Sequence, residues 1–119
     1  MKSHINTAEL LSKINQFSEE RNWAQFHSIK NLAMALSVEV AELLEIYQWK
    51  TELESNDLED TELQIKAKEE IADIFIYLLR ISSKLNIDLE KAVNEKMALN
   101  EIKYPIEKSL GNSKKYTEF

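Results

Sequence analysis

Apolar residues recur every three to four positions along most of the chain, the spacing of amphipathic helices. A first helix is predicted to begin near Asn6 or Thr7, with Asn6 and Glu9 spaced as in a capping box. Its apolar stripe consists of Leu10, Leu11, Ile14 and Phe17. A second helix is predicted from an N-cap at Ser28 to about Lys50. Its stripe consists of Leu32, Leu36, Val40, Leu43 and Tyr47.

The second half of the chain returns to the helical pattern after an acidic segment. Residues 51–60 are predicted to form a solvated loop. A third helix follows from about Thr61 to Lys84, and a fourth runs from its N-cap Asp88 through about Ile102. Pro105 ends the fourth helix, and residues 106–119 are predicted to form a C-terminal arm. The fourth helix has a stripe consisting of Leu89, Ala92, Val93 and Met97.

Composition supports an all-α fold. The 119 residues include one Gly and one Pro, too few for the frequent turns of sheets. We predict a single domain over residues 1–119 with a four-helix bundle-like subunit. The third helix is apolar nearly all round from Ile71 to Leu79, more than a chain of this length can easily enclose. A subunit interface would cover it, so we predict a homo-oligomer.

Charge and cysteine content narrow the class of function. A net charge of −6 argues against a nucleic-acid-binding surface, which needs to be basic. The chain has no Cys, so disulfide and thiolate chemistry are excluded. No apolar run is long enough to span a membrane, and residues 1–6 lack the apolar core of a signal peptide. We therefore expect a soluble cytoplasmic protein without nucleic-acid or membrane partners.

Two acidic pairs of equal spacing lie within the second and third helices. They are Glu39-Val-Ala-Glu42 and Glu70-Ile-Ala-Asp73. Residues three apart share a helix face, so each pair directs two carboxylates to one place. Asp73 leads directly into the apolar segment 74–79. A carboxylate in such surroundings has to be paired, protonated or bound to a metal, because burying an isolated ion is too costly.

The alternative for these acids is that they are solvated charges on helix surfaces. The apolar neighbours of Asp73 and the repetition of the pair on two long helices favour a metal site. Carboxylates without Cys, in a chain with two His, favour Mg²⁺ or Mn²⁺ over Zn²⁺. Mg²⁺ held by carboxylates takes further ligands from substrate phosphates, so phosphoanhydride chemistry is the first reaction class that we expect.

A basic face on the fourth helix is a second candidate. Lys96, Asn100 and Lys103 are spaced i, i+4, i+7 and therefore share a face. This face is either an exposed basic surface or a phosphate site, in which Asn100 donates to a phosphate or sugar oxygen.

Several aromatic residues form a third candidate group, consisting of Trp23, Phe26, Trp49, Tyr77 and Tyr104. Core packing is the usual role of such side chains. A Trp at a helix end can also stack on a flat base, and both Trp residues lie at predicted helix ends. His27 is expected to make local hydrogen bonds at a helix end or in a loop.

From about Glu9 to the C-terminus, the sequence resembles the MazG-like, all-α nucleoside triphosphate pyrophosphohydrolases, and among them the dCTP pyrophosphatase type. The two acidic pairs match the ExxE…ExxD pattern of that family. The matching flanks are Glu20–His27, Lys30–Leu32, Tyr47–Lys50, Asp73–Leu78, Lys96–Asn100, Lys103–Pro105 and Lys115–Thr117. Where relatives of the dCTP type carry a His on the first helix, this chain has Ile14.

The resemblance implies hydrolysis of a nucleoside triphosphate between its α and β phosphates, giving a nucleoside monophosphate and pyrophosphate. It implies that Mg²⁺ is bound by Glu39, Glu42, Glu70 and Asp73. In the same way, Trp23, Trp49 and Tyr77 would line a base pocket, and Lys96, Asn100 and Tyr104 would hold phosphates or sugar. The full set of implied substrate-binding residues is Trp23, His27, Lys30, Trp49, Tyr77, Lys96, Asn100, Lys103 and Tyr104. It further implies a homodimer or homotetramer.

The resulting hypothesis is a house-cleaning enzyme of the nucleotide pool, with dCTP or a modified dCTP as leading substrate. Glu39 or Glu42 orients or deprotonates the attacking water, and lysines offset charge on the leaving pyrophosphate. Two alternatives stay open. One is a broader dNTP or dUTP/dUDP hydrolase of the same fold. The other is a non-catalytic helical interaction module, such as an antitoxin-like partner, whose acids serve folding.

Overall fold

The computed structural model describes residues 4–118, and this part of the chain is helical without strands. The α-helices are α1 Thr7–Glu20, α2 Ile29–Tyr47, α3 Glu52–Ser55, α4 Thr61–Lys84, α5 Leu89–Lys103 and α6 Ile106–Ser109. Short 3-10 helices cover Ala24–Phe26 and Tyr116–Glu118. The all-α prediction is confirmed. Residues 1–3 and 119 lie outside the described residues, and with them part of the N-terminal segment and the last residue of the predicted arm.

The predicted helix starts agree with the observed caps. The backbone N–H of Glu9 donates to Asn6 Oδ1 at 3.0 Å, and that of Asn31 donates to Ser28 Oγ at 3.0 Å. Asp88 accepts from the backbone N–H of Lys91 at 3.1 Å. Each of these side chains satisfies a backbone donor that the first helical turn leaves free. Three of the four long helices, α1, α2 and α5, therefore begin where the sequence places a short polar side chain before an apolar stripe.

The acidic segment after α2 is not a loop throughout, so that prediction was wrong. Residues 52–55 form α3, which begins with a reciprocal capping box between Thr51 and Glu54. The backbone N–H of Glu54 donates to Thr51 Oγ1 at 3.1 Å, and that of Thr51 donates to Glu54 Oε1 at 2.9 Å. Acidic residues in a first helical turn are also favoured by the helix dipole. These local terms order a segment that periodicity alone does not identify.

The chain forms two compact units, residues 1–85 and 86–119. In the first unit, α2 packs along α4 and α1 packs on α4. The core of this unit is Leu32, Leu63, Ala67 and Leu79, with Leu32 only 1% exposed. Burying an aliphatic side chain of this size stabilises the fold by roughly 1.5–3 kcal/mol. Helices α1, α2 and α4 thus supply three members of the predicted bundle, while the assignment of all 119 residues to one domain stays a prediction.

Apolar side chains remain exposed on α4 although the sequence predicted burial on several sides. Ile71, Leu78 and Leu85 are spaced by seven residues and share one exposed face of this single chain. Leu79, which follows Leu78 directly, is buried against the neighbouring helices. One side of α4 therefore has a cover within the chain and the other does not. Homo-oligomerisation stays a prediction for that open face.

The second unit contains α5, α6 and the arm. Here the ring of Tyr116 lies edge-on to that of Tyr104, with centroids 6.1 Å apart, and Lys103 Nζ lies 4.9 Å from the Tyr116 centroid. The arm contains two short helical segments, α6 and the second 3-10 helix. Of the stripe predicted for α5, Leu89 and Ala92 are half-buried, while Val93 and Met97 are exposed. None of the helices described combines the length and apolar character needed to cross a bilayer.

Candidate functional site

The packing of α2 against α4 brings acidic side chains from both helices together. Carboxylate oxygens of Glu39, Glu70 and Asp73 all lie within 4.8 Å of one another. Glu39 is on α2, and the other two are one helical turn apart on α4. The α4 pair thus directs both of its carboxylates to one place, as the i, i+3 spacing predicts, and Glu39 of the α2 pair joins them there. We call Glu39, Glu42, Glu70 and Asp73 the acidic cluster.

Glu42 lies at the more open side of the acidic cluster. It is exposed, and its side chain interacts electrostatically with those of Glu39 and Glu70. It also lines a cleft of about 520 Å³ between α2 and α4, together with Glu70. Lys50 and Lys66 contribute positive charge to the walls of that cleft. The cleft thus opens the acidic cluster to solvent, and its walls carry both acidic and basic side chains.

The acidic cluster has no base to neutralise it among residues 4–118. The three ion pairs in that range join Lys13 to Glu9, Lys66 to Glu62 and Lys91 to Glu95. Glu39 Oε2 and Glu70 Oε2 are buried, and neither has a hydrogen-bond partner. Two facing carboxylates offer only acceptors unless one of them carries a proton. The site therefore needs a proton or a cation.

The pKa values of Glu39 and Glu70 are raised above the ordinary value of a glutamate. Burial first, and then the neighbouring carboxyl groups of Glu70 and Glu42, together raise the pKa of Glu39 from 4.5 to about 7. The neighbouring carboxyl group of Glu39 lowers the pKa of Glu70, but burial and the negative charge of Glu42 outweigh this effect, so the pKa of Glu70 is raised. One proton is thus shared within the cluster near neutral pH when no cation is bound.

The predicted base-pocket residues of the first unit differ in exposure. Tyr77 follows Asp73 by one turn on α4 and is half-buried. This i, i+4 spacing puts the ring next to Asp73 of the acidic cluster. Burial, and then the charges of Glu39 and Asp73, raise the pKa of its phenol. Trp49, beyond the end of α2, is 88% exposed. An indole that open has no packing role in this chain.

Trp23 and His27 flank the 3-10 turn between α1 and α2. The Trp23 ring meets those of Phe17 and His27 edge-on, with centroids 5.6 and 6.5 Å apart. His27 makes a local hydrogen bond as expected, from its backbone N–H to the carbonyl of Ala24 at 3.1 Å, while its side-chain Nδ1 is buried without a partner among residues 4–118. Lys30, in the first turn of α2, is exposed.

The remaining predicted site residues belong to the second unit. Lys96 is exposed on α5, and Asn100 and Lys103 are half-buried one and two turns further on. Tyr104 caps the C-terminus of α5, where its backbone N–H donates to the carbonyl of Asn100 at 2.8 Å. The spacing predicted for this face is therefore that of one continuous helix.

Sequence reasoning missed a buried polar contact two helical turns beyond Asp73 on α4. Arg80 on α4 donates from Nη1 to the hydroxyl of Ser18 on α1, and both side chains are buried. Arg80 was identifiable as a neighbour of Tyr77 on the same edge of α4. Ser18, 62 positions earlier, has no signal in the sequence that marks it as the partner.

Comparison with known proteins adds a family to this geometry. Residues 34–119 match the MazG-like family. The chain is 40% identical over 104 residues to human dCTP pyrophosphatase 1, and 38% identical over 104 residues to the rat protein of the same name. These alignments cover 87% of this chain, which spans 61% of the length of either relative.

A solved structure is similar over nearly its whole length. It is a pyrophosphatase from Archaeoglobus fulgidus, with a TM-score of 0.72 and 40% sequence identity, and the match covers 88% of this chain and 97% of that one. The family match includes both acidic pairs, which are the residues that α2 and α4 bring together. The chain belongs to the MazG-like family.

Proposed function

We propose that this protein is a divalent-metal-dependent nucleoside triphosphate pyrophosphohydrolase of the nucleotide pool, with dCTP or a modified dCTP as leading substrate. The observation that carries the proposal is the acidic cluster, in which three carboxylates within 4.8 Å include two buried oxygens without partners. The dCTP pyrophosphatases that resemble the chain support the choice of substrate. We place its action in the cytoplasm.

The donor set of the cluster fits Mg²⁺, with Mn²⁺ as a second possibility. All four candidate ligands, Glu39, Glu42, Glu70 and Asp73, are carboxylates, the oxygen donors that hard divalent cations prefer. The buried oxygens of Glu39 and Glu70 lack donors, and a cation would satisfy both. Such an ion supplies Lewis-acid stabilisation of the charge that develops on the phosphates.

The chemical step requires a base for water, and the α2 pair provides it. Glu39 or Glu42 accepts a proton from the attacking water, whose oxygen bonds to the attacked phosphorus. The bridging bond between the α and β phosphates breaks, and its electron pair leaves with pyrophosphate.

Substrate contacts are proposed for both units. In the first unit, Trp23, Trp49, Tyr77 and His27 would contact the base, and Lys30 a phosphate. The exposed rings of Trp23 and Trp49 support stacking, because neither is enclosed by other side chains. In the second unit, Lys96, Asn100, Lys103 and Tyr104 would contact phosphates or sugar, since they offer cationic and neutral hydrogen-bond donors.

A homodimer or homotetramer is part of the proposal. The exposed stripe on α4, consisting of Ile71, Leu78 and Leu85, supports it, because apolar faces of this kind are usually covered in solution. The stripe runs along the same helix as Glu70 and Asp73, so its cover would also hold the metal ligands in place.

Product analysis tests the proposal. The purified protein is incubated with dCTP, dUTP, dATP or dGTP with and without Mg²⁺, and pyrophosphate and phosphate are measured separately. We expect dCMP and pyrophosphate in equal amounts, only with metal. Equal rates with all four substrates would indicate the broader dNTP hydrolase. Absence of turnover, together with no effect of Mg²⁺ and nucleotide on thermal stability, would leave the non-catalytic module.

A further inference from the structure

Arg80 is a buried cation whose environment contains no matching acid. The residue is 8% exposed, and its Nη1 donates to Ser18 Oγ. That bond engages one of the five N–H donors of a guanidinium. No ion pair among residues 4–118 includes Arg80. Burying most of a cation without an anionic partner is costly. No Arg80 nitrogen is among the buried side-chain atoms that lack a partner in residues 4–118, so the donors that Ser18 does not engage are open to a ligand from outside the chain.

His27 extends this site toward the surface. Its Nδ1 is buried without a hydrogen-bond partner among the described residues, and its ring meets that of Trp23 edge-on. Burial, and then the positive charges of Arg80 and Lys84, lower the pKa of His27. These effects favour the neutral form of the imidazole. Trp23, with 44% of its surface exposed, stands at the outer end of this row.

The guanidinium also lies in line with the acidic cluster. Arg80 follows Asp73 by seven residues on α4, which is two helical turns on one face and about 10 Å along the axis. Tyr77 lies between them along α4, four residues after Asp73 and three before Arg80. A nucleotide whose phosphates lie at the acidic cluster can thus extend its base toward Arg80.

We propose that Arg80, oriented by Ser18, is a specificity-determining residue that donates hydrogen bonds to the base of the nucleotide. The inference rests on the proposed pyrophosphohydrolase function and names a residue that reads the base. The guanidinium is a fork of donors only, so it matches a base edge with two adjacent acceptors. Cytosine presents such an edge at N3 and O2, and guanine does so at O6 and N7.

Other bases match this fork less well. Adenine places its N6 amino donor beside N1 and N7, so one arm of the guanidinium would face a donor. Uracil places the N3 donor between its two carbonyls. The order expected from Arg80 is therefore dCTP above dUTP, and dUTP above dATP. A second subunit that offers a carboxylate to Arg80 is the competing explanation, and the experiment separates the two.

The test compares kcat/KM for dCTP and dATP in the wild type and in Arg80→Met. We expect the dCTP-to-dATP ratio to fall roughly 10- to 100-fold, the range for a hydrogen bond to a charged group, mainly through loss of dCTP turnover. Arg80→Lys keeps the charge without the fork and should give an intermediate ratio. Ser18→Ala removes the group that orients Arg80 and should lower the ratio by a smaller factor. Arg21→Met, at the exposed end of α1, is the control and should leave the ratio unchanged.

A binding measurement provides a readout that does not depend on turnover. Tryptophan fluorescence is titrated with dCMP and with dAMP in metal-free buffer, and circular dichroism checks that each variant is helical. Arg80→Met should weaken dCMP binding by the factor seen in kcat/KM and leave dAMP binding unchanged. If Arg80→Met folds less well, Arg80→Lys in the same titration decides.

Two results would overturn the inference. One is a wild-type protein that hydrolyses nucleotides while both Arg80 variants keep its dCTP-to-dATP ratio within twofold. The other is an Arg80→Met protein with a lower sedimentation coefficient and an unchanged ratio, which would assign Arg80 to a subunit contact. A wild type that hydrolyses no nucleoside triphosphate refutes the proposed function instead, and the dCMP titration then still decides whether Arg80 reads the base.

Discussion

Glu39 Oε2 and Glu70 Oε2 are both buried where α2 meets α4, and neither has a hydrogen-bond partner among residues 4–118. Protons and divalent cations therefore compete for the same oxygens. This competition ties metal binding, pH and stability together, because a cation can bind fully only where the carboxylates have lost their proton.

Asp73→Asn should reduce Mg²⁺-dependent hydrolysis by at least about 100-fold, because it replaces a charged metal ligand with a neutral amide. The helical circular dichroism spectrum should stay the same, since the side chain keeps its size. Pyrophosphate release under saturating dCTP and Mg²⁺ is the measurement.

The control for this variant is Glu19→Gln, an exposed acid on α1 away from the acidic cluster. It should keep the wild-type rate. Near-normal Mg²⁺-dependent activity in Asp73→Asn would show that Asp73 is not a ligand.

Metal-free protein should lose stability as pH rises through the raised pKa of Glu39. The folded state holds this proton with a pKa of about 7, against 4.5 ordinarily. The stabilising contribution is therefore complete below about pH 4.5 and is lost as pH rises through about 7, because the unfolded chain releases the proton earlier. Thermal unfolding in EDTA, measured from pH 5 to pH 8, should show Tm falling over this range.

Glu39→Gln provides the comparison for the pH experiment. The amide cannot titrate, so the fall in Tm between pH 5 and pH 8 should be smaller in this variant. Saturating Mg²⁺ should also reduce the fall in the wild type, since the cation replaces the lost proton. Parallel curves for the wild type and Glu39→Gln in EDTA would contradict the assignment of this proton.

Trp49→Ala should separate binding from stability. The side chain is 88% exposed, so its loss should change the free energy of unfolding by about 0.5 kcal/mol or less. If the indole stacks on the base, KM for dCTP should rise roughly 5- to 100-fold, because base stacking is worth about 1–3 kcal/mol. Steady-state kinetics and urea unfolding of the same preparation test both statements. A normal KM would exclude Trp49 from the base pocket.

Sedimentation at micromolar concentration should show a dimer or tetramer. Leu78→Glu places a charge in the exposed apolar stripe of α4, where 38% of the leucine is open to solvent in the single chain, and should shift the protein toward monomer. Leu53→Glu, on α3, changes a residue that is 84% exposed and should leave the assembly intact. A monodisperse wild-type monomer would refute the oligomer.

Features that depend on neighbouring residues could be predicted from the sequence. The caps at Asn6, Ser28 and Asp88 follow from short polar side chains before apolar stripes, and the acidic cluster follows from i, i+3 spacing on two helices that have to pack. The residues of the capping box that orders α3, Thr51 and Glu54, are present in the sequence. The acidic composition of the segment nevertheless led to the prediction of a solvated loop.

Features that depend on distant residues could not be predicted. The contact between Ser18 and Arg80 joins positions 62 residues apart, and no local periodicity encodes it. The same holds for the unpartnered Nδ1 of His27, which is buried by its tertiary surroundings. The pattern on α4 identified an apolar helix correctly, yet it could not show which of its faces the chain itself covers.

Helix α4 runs without interruption from Thr61 to Lys84, so Asp73, Tyr77 and Arg80 lie on one continuous helix. The interval between the cation ligands and the guanidinium is therefore set by helical rise and cannot adapt through loop movement. In a nucleotide with a longer link between its phosphates and its base, the base would not reach Arg80 at the correct position while the phosphates lie at the acidic cluster. Discrimination among pool components would then include their length as well as the identity of their base.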